Sequence, residues 1–261
     1  MELTYNGIHY TKVGQGPHLC FLHGFCEDQS IWEPVITLLQ ENHTCIAIDL
    51  PGFGKSKHTR FKSLPEVAVQ VNQLLTHGNN SNCIVFGHSM GGYLVAEYIH
   101  QFAEQINGAA FIHSTCRADS DEKKEKRAKT IDFIAKNGSS LFFPIFIEEL
   151  VTEQNFEALK TKLFALASAT PDQSIIDGHA AMMNREDRLS SVSQFNKPIL
   201  FLKGEKDKHY GPFDTSFEAA QCQLAQINEI KNVAHLSMFE DSAACAVAIK
   251  EFLAFAKNLK L

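Results

Sequence analysis

The residues with the clearest chemical potential are the five from Gly87 to Gly91, which read Gly-His-Ser-Met-Gly. They follow an apolar run at residues 83–86 that predicts a strand, and they precede a helical pattern that begins at Met90. A serine on such a sharp turn projects its hydroxyl, and the two glycines leave room for close backbone contacts. The pattern predicts that Ser89 is a nucleophile for hydrolysis. The alternative is an ordinary serine that caps a helix.

A nucleophilic serine needs a base, and imidazole can take and return a proton near neutral pH. The chain has twelve histidines. His235 is favoured by position, because it follows a short predicted strand and stands in a loop before the last predicted helix. It also comes after Ser89 and after a candidate carboxylate, which is an order typical of such sites. The alternative is a surface-loop histidine without a role.

The carboxylate that orients the base is predicted to be Asp207, which lies beyond Gly204 just after the predicted strand at 198–203. Such a group holds the imidazole in one tautomer and stabilises the imidazolium. Glu205 is the nearest rival, and the weaker alternatives are Asp214 and Asp187.

A tetrahedral intermediate also needs backbone N–H donors for its oxyanion, and losing one donor typically costs about 2.7–4 kcal/mol. The N–H of Met90 is predicted to be one donor, since it directly follows the nucleophile at the N-terminus of a helix.

Three segments in this order resemble signatures of the α/β-hydrolase superfamily, in particular its serine esterases with a lid. They are residues 21–25 (Phe-Leu-His-Gly-Phe), 49–56 (Asp-Leu-Pro-Gly-Phe-Gly-Lys-Ser) and 87–92 (Gly-His-Ser-Met-Gly-Gly). Residues 202–207 and 234–235 are similar to the acid and histidine loops of that superfamily. The resemblance covers residues 1–114 and about 190–261, and it does not extend to the region between them.

The resemblance implies that the second oxyanion donor comes from the loop after Leu22, with Phe25 as the candidate and Cys26 as its alternative. His23 is expected to orient this loop. It further implies that a helical lid covers the site, in which Phe142, Phe143 and Phe146 belong to an apolar patch. Such a patch could line an acyl pocket or simply bury the lid. His88, beside Ser89, is expected to be a packing residue or to contact the substrate, and His113 is expected either to line the pocket or to lie buried in the core.

The elements that must position these residues alternate between apolar strands and amphipathic helices. This alternation predicts an α/β fold with a mostly parallel central sheet and helices on both faces. Residues 115–188 contain helical patterns without a convincing strand. We therefore predict a core formed by residues 1–114 and 189–261, with 115–188 inserted as the helical lid.

The composition fits a single globular domain of 261 residues, with 44% apolar and 21% charged residues. The net charge of −6, without a dense basic patch, argues against nucleic-acid binding. The first residues show no signal-peptide pattern. The apolar stretch at 141–147 is too short for membrane insertion. Seven cysteines without paired or zinc-like spacing predict reduced thiols in a cytoplasmic protein, with no metal and no cofactor.

The predicted reaction is hydrolysis of a small or medium, largely apolar carboxylic ester, which is the expected small-molecule partner. Thioester hydrolysis, C–C bond hydrolysis, perhydrolysis and pyruvate elimination could use the same residues, and the fold does not separate them. A slow small-molecule sensor and a scaffold protein are alternatives of another class. The resemblance disfavours dehalogenase and epoxide hydrolase chemistry, because those relatives carry an aspartate where this chain has Ser89.

Overall fold

A computed structural model of the protein describes residues 1–210 and 212–259, with the side chains of residues 212–214 outside the description. The strands are β1 (Glu2–Tyr5), β2 (Ile8–Val13), β3 (His18–Leu22), β4 (Thr44–Ile48), β5 (Cys83–His88), β6 (Ile106–Ile112), β7 (Ile199–Gly204) and β8 (Ala225–Ile230). The α-helices are α1 (Glu33–Leu39), α2 (Leu64–His77), α3 (Met90–Phe102), α4 (Asp121–Asn137), α5 (Phe143–Glu148), α6 (Glu153–Ser168), α7 (Asp172–Met183), α8 (Leu189–Ser193), α9 (Pro212–Ala220), α10 (Ser237–Glu240) and α11 (Ser242–Asn258).

The strands form one sheet in the order β1-β2-β4-β3-β5-β6-β7-β8. The first two pairings in that order are antiparallel and all the later ones are parallel. Helices α2 and α3 pack together, as do α1 and α11, and the two pairs cover the sheet. Its central strands are apolar on both faces, as a doubly covered parallel sheet requires. The predicted fold class is therefore confirmed.

Local chemistry explains the ends of several elements. The β1–β2 hairpin turns at Asn6 and Gly7, both with positive φ, as expected of an Asn-Gly turn. The Ser63 hydroxyl caps α2 by accepting a hydrogen bond from the Glu66 amide. Of the helices in the described ranges, none is long and apolar enough to cross a membrane.

The helical periodicity of the sequence from Pro212 to Gln226 predicts a single helix over that whole span, and this prediction is wrong at its C-terminal end. The helical pattern at residues 212–226 extends past the real end of α9, which stops at Ala220. The amides of Gln221 and Cys222 close a turn there. Residues 225 and 226 instead pair with Ile199 and Leu200 of β7. The pairing of a sheet edge outweighs local helical propensity at these positions.

Between β6 and β7 lies the helical insertion (residues 115–188), which contains α4, α5, α6 and α7. α4 packs along α7. The buried carboxylate of Asp119 joins the two, with its oxygens 2.5 Å from Arg127 Nε and 2.7 Å from Arg185 Nη2. The alternating charges of residues 117–129 predict a solvated helix face, but Asp119 and Arg127 of this stretch form a partly buried ion pair.

Candidate active site

The loops that could carry chemistry leave the sheet at one edge. β3, β5, β6, β7 and β8 are parallel neighbours in that order, so their C-terminal ends lie side by side. Ligand sites of open parallel sheets lie outside the carboxyl ends of the strands. The loops after these five strands carry, in chain order, Phe25, Ser89, His113, Asp207 and His235.

Ser89 occupies a strained turn between β5 and α3. Its backbone angles are φ 49° and ψ −114°, a combination that residues with a side chain rarely adopt. A Cβ added at Gly87 would lie 2.2 Å from the Gly91 carbonyl oxygen, and one at Gly91 would lie 2.5 Å from that of Leu22. Only glycine allows these approaches. The turn therefore holds the half-buried Ser89 side chain at the edge where β3 also ends.

His235 is fixed by Asp207. The distance from His235 Nδ1 to Asp207 Oδ2 is 2.9 Å, and both side chains are almost completely buried. A carboxylate only accepts hydrogen bonds, so His235 Nδ1 carries the proton and Nε2 keeps a lone pair. The hydrogen bonds of the described residues include none on Ser89 Oγ.

The charge states of this pair follow from its surroundings. Burial lowers the pKa of His235 to about 3 against the opposing pull of Asp207. Burial disfavours the charged carboxylate as well, but the two imidazole rings beside it hold the pKa of Asp207 well below its ordinary value. The pair is therefore a neutral imidazole and an ionised carboxylate, as a general base and its orienting group require.

The second imidazole on Asp207 belongs to His113. Its Nδ1 lies 3.2 Å from the same carboxylate oxygen, and its Nε2 lies 2.8 Å from Ser237 Oγ. The side chain has no exposed surface, so it supports Asp207 and does not line a pocket. The buried-core alternative for His113 thus fits the structure, and the substrate-contact alternative does not.

The other candidate acids are differently placed. Glu205 is exposed and accepts hydrogen bonds from Lys231 Nζ and the Asn232 amide. Asp187 is bound to the amide of Leu189 at the surface, and the side chain of Asp214 lies outside the described residues.

The loop after β3 is held by His23, which is completely buried. Its Nε2 accepts a hydrogen bond from the Leu50 amide at 2.9 Å, so its Nδ1 carries the proton and donates to the Gly24 carbonyl at 2.7 Å. Phe25 and Cys26 follow, also buried, and Cys26 has a positive φ of 57°. His23 therefore orients this loop through both ring nitrogens, without reaching a substrate.

Sequence patterns gave no indication of the next pair. His88 Nδ1 lies 3.0 Å from Oε2 of Glu27, and His88 Nε2 lies 2.9 Å from the carbonyl oxygen of His235. The same Glu27 oxygen accepts the Gly24 amide at 2.6 Å. His88 has no exposed surface, so it is a bonded core residue and does not contact substrate.

An aromatic cluster, called the aromatic wall below, forms where Phe142, Phe146 and His179 of the insertion pack together with Phe25. The Phe25 ring meets that of Phe146 at 5.8 Å and that of His179 at 4.5 Å between centroids. Phe142 stacks on Phe146 at 5.1 Å. Phe142 and Phe146 are half-buried, whereas Phe143 is buried within the insertion. Phe142 and Phe146 thus keep part of their surface exposed beside Phe25 and His179, whereas Phe143 packs inside the insertion.

Two hydrogen-bonded tyrosines lie beside His235. The Tyr210 ring stacks on the His235 ring with centroids 5.7 Å apart, and its hydroxyl is hydrogen-bonded to that of Tyr93. The guanidinium carbon of Arg185 lies 3.8 Å from the centre of the Tyr93 ring. Burial raises the pKa of Tyr210 well above its ordinary value, so its hydroxyl stays protonated. No sequence pattern indicated that either tyrosine belongs to the site.

The insertion also contacts the backbone around the base. The His235 amide donates to the Leu150 carbonyl at 3.0 Å. Glu240 accepts the Ala234 amide on one oxygen, and on the other it accepts the amide and hydroxyl of Thr152. The loop that carries His235 is therefore joined to the start of α6.

Within the described ranges, one group of side chains has the spacing of a metal site. His113, Asp207 and His235 offer ligand atoms that lie within 4.8 Å of one another. Both histidine nitrogens already face the Asp207 carboxylate at hydrogen-bond distance. The group therefore acts here as a hydrogen-bonded cluster.

Curated relatives and solved structures resemble the chain over most of its length. It is 25% identical over 209 residues to a pimeloyl-[acyl-carrier protein] methyl ester esterase of Vibrio vulnificus, covering 77% of this chain and 80% of that protein. It is 24% identical over 220 residues to an uncharacterized hydrolase of Bacillus subtilis, covering 77% and 76%.

Among solved structures, a thermophilic esterase from Thermogutta terrifontis superposes with a TM-score of 0.88 at 23% identity, covering 95% of this chain and 93% of that one. An enol-lactonase from Burkholderia xenovorans gives a TM-score of 0.87 at 19% identity, covering 97% and 100%. A family model for the alpha/beta hydrolase fold matches residues 17–242. The chain therefore belongs to the α/β-hydrolase fold family and is a hydrolase.

Proposed function

We propose that the protein is a serine esterase that cleaves carboxylic esters with Ser89, His235 and Asp207. The observation that carries this proposal is the pairing of His235 Nδ1 with the Asp207 carboxylate at 2.9 Å, at the same sheet edge as the strained Ser89 turn. The His88 ring, which directly precedes Ser89, lies 4.8 Å from the His235 ring between centroids. This proximity supports a working contact between the serine and the base.

In the proposed mechanism, His235 Nε2 takes the proton of Ser89 Oγ as this oxygen attacks the ester carbonyl. Hydrogen bonds of this kind are often long in free enzymes and tighten when substrate binds. The tetrahedral intermediate collapses, the alcohol leaves with the proton from His235, and an acyl-enzyme remains. Water activated by His235 then releases the acid and restores the Ser89 hydroxyl.

The oxyanion would be bound by the amides of Met90 and Phe25. Gly91 packs on the carbonyl oxygens of Leu22 and His23, so the start of α3 and the loop after β3 are in direct contact. The helix N-terminus adds a favourable field for negative charge. Two donors from these two elements would converge on one oxygen.

For the substrate, we propose an ester of a small or medium acyl chain, with the helical insertion acting as the lid. The half-buried Phe142 and Phe146 support an apolar acyl subsite. The relatives named as pimeloyl-[acyl-carrier protein] methyl ester esterases support ester cleavage next to a chain of moderate length. Free thiols at all seven cysteines fit our proposal of a cytoplasmic location.

Hydrolysis of p-nitrophenyl esters with acyl chains of two to twelve carbons tests this proposal. We expect the highest kcat/KM at about four to eight carbons, because the aromatic wall offers a bounded apolar surface. Enzyme inactivated with a fluorophosphonate serves as the control. Background rates on every ester would contradict the esterase proposal, and matched thioesters and diketones would then identify the alternative reactions.

The pH dependence of kcat/KM should reflect the environment of His235. Burial lowers the pKa of His235 to about 3 even though Asp207 opposes this shift, so the ring stays an unprotonated base well into the acid range. We expect kcat/KM to stay at its plateau value as the pH falls to about one unit below the ordinary pKa of histidine, which is about 6.5. Circular dichroism at each pH separates this effect from acid unfolding. An acid limb near 6.5 in folded enzyme would contradict the prediction.

A further inference from the structure

We propose that the buried pair of Glu27 and His88 positions both the oxyanion loop and the base, so that these two parts of the site are held at a fixed distance from Ser89. This inference rests on the proposed function, because it assigns the two residues a role in the same reaction. Neither side chain is expected to touch the substrate.

The hydrogen bonds of His88 determine its charge. A backbone carbonyl can only accept, so the nitrogen that faces His235 O at 2.9 Å carries a proton. The other nitrogen faces the Glu27 carboxylate at 3.0 Å and donates to it. With protons on both nitrogens the ring is an imidazolium. Burial opposes this charge, but the carboxylate and the hydrogen bonds outweigh burial and raise the pKa of His88.

The carboxyl group of Glu27 is ionised and so complements the charge of His88. Burial favours its neutral form, but the charge and hydrogen bond of His88 prevail and lower the pKa of Glu27. Both side chains are at least nine-tenths buried, so solvent screens the pair little. Charge-assisted hydrogen bonds of this type are roughly twice as strong as neutral ones. The pair is therefore a stiff connection inside the core.

This connection reaches two peptide groups of the site. Glu27 accepts the Gly24 amide, and Gly24 directly precedes the proposed donor Phe25. His88 donates to the carbonyl of His235, the proposed base. Since His88 is also the neighbour of Ser89, the nucleophile, the base and the oxyanion loop share one buried ion pair. A displacement of about 1 Å in such a site can cost about a hundredfold in rate.

The His88 cation also acts on the base electrostatically. The titratable groups around the pair and His235 are His23, Cys26, His113, Asp207, His209 and Tyr210. The positive charge of His88 opposes protonation of His235, in the same direction as burial. Removing this charge should make His235 easier to protonate, so the acid limb of kcat/KM should move to higher pH.

The variants Glu27→Gln and His88→Gln test the proposal. In Glu27→Gln the ring of His88 loses its carboxylate and becomes neutral, so both variants remove the cation. We expect kcat to fall about a hundredfold with little change in KM, since no substrate contact is lost. In both variants the acid limb should shift toward higher pH. A purely structural residue would lower the melting temperature without moving this limb.

Glu97→Gln is the matched control. Glu97 lies on α3, well beyond the turn at Ser89. Its side chain is as buried as that of Glu27, and it forms an ion pair with Arg188 at 2.8 Å. Its variant should lose thermal stability but keep its kcat and its pH profile. Unchanged kcat and pH profile in folded Glu27→Gln would overturn the proposal.

Nitrogen-15 NMR of the histidine rings gives a readout that needs no activity. At pH 8 unperturbed histidines are neutral. We expect one ring to be protonated on both nitrogens in the unmodified protein, and to lose that state in Glu27→Gln. A spectrum without such a ring would overturn the ion pair, even if His88→Gln fails to fold. If the ring is present but no ester is hydrolysed, the proposed function fails and the ion pair stands.

Discussion

Replacing Ser89 by alanine should lower the kcat of ester hydrolysis by about a millionfold, to the level left by binding and the oxyanion donors. In the proposed mechanism the hydroxyl oxygen of Ser89 becomes bonded to the acyl group, so no neighbouring side chain can substitute for it. The strained backbone at φ 49° should persist, because the glycines beside it set the turn. The measurement is single-turnover and steady-state hydrolysis of the best p-nitrophenyl ester.

Ser191→Ala is the control for that experiment. Ser191 also contacts a histidine, with its Oγ 2.9 Å from His100 Nδ1, but this contact lies on the exposed surface. Its variant should keep full activity. A fluorophosphonate should label the unmodified protein and Ser191→Ala at Ser89, as read by peptide mass spectrometry. Residual activity of Ser89→Ala above a few per cent would contradict the assignment of the nucleophile.

Replacing Asp207 by asparagine should lower kcat by about ten-thousandfold. The carboxylate oxygen accepts from Nδ1 of both His235 and His113, and an amide offers one acceptor and one donor in its place. If the amide donates to His235, this ring takes the tautomer with its proton on Nε2, and the lone pair proposed to accept the Ser89 proton is lost. KM should change little, because Asp207 is buried away from any ligand.

Glu205→Gln controls for the loss of a carboxylate in the same loop. Its side chain accepts hydrogen bonds from Lys231 and the Asn232 amide at the exposed surface, so its variant should retain the unmodified kcat. Equal activity losses in the two variants would point to loop unfolding. Unchanged activity in Asp207→Asn, with a folded protein, would contradict the proposed triad.

The proposed triad can be predicted from sequence for a physical reason. Ser89 directly follows one apolar strand and Asp207 lies in the loop just after another, and a parallel sheet brings the ends of such strands to one edge. His235 stands in the loop that follows the last strand. The alternation of strands and helices, together with turn glycines, is enough to place these loops. The fold class follows from the same pattern.

The supporting residues cannot be predicted in that way. Glu27 and His88 lie 61 positions apart in the chain and meet only because β3 and β5 are neighbours. Glu27 stands next to Asp28, and such an acidic pair is typical of a solvated loop. Its burial depends on tertiary packing that no local pattern encodes. The same reason explains why Tyr93 and Tyr210 gave no signal.

The helical insertion shows a second limit of prediction from sequence. Its apolar residues predict burial, but whether a phenylalanine faces the site depends on where α5 packs. Phe146 contacts Phe25 and Phe142 stacks on Phe146, whereas Phe143, between them in the chain, is buried within the insertion. Helical periodicity alone cannot separate these cases, because it does not say which side the core lies on.

The hydrogen bonds that Leu150 and Glu240 accept from the backbone amides of His235 and Ala234 affect how this enzyme could diversify. An insertion that covers a site is usually the segment free to vary, since it carries specificity and leaves the core untouched. Here two positions of the insertion, Leu150 and Thr152, are hydrogen-bonded to the loop of His235, directly or through Glu240. Grafting an insertion from a relative would thus have to reproduce a carbonyl at position 150 and the amide and hydroxyl of Thr152. Natural sequence variation in this segment is therefore expected to be low at residues 150–152 and high across the exposed face of α4.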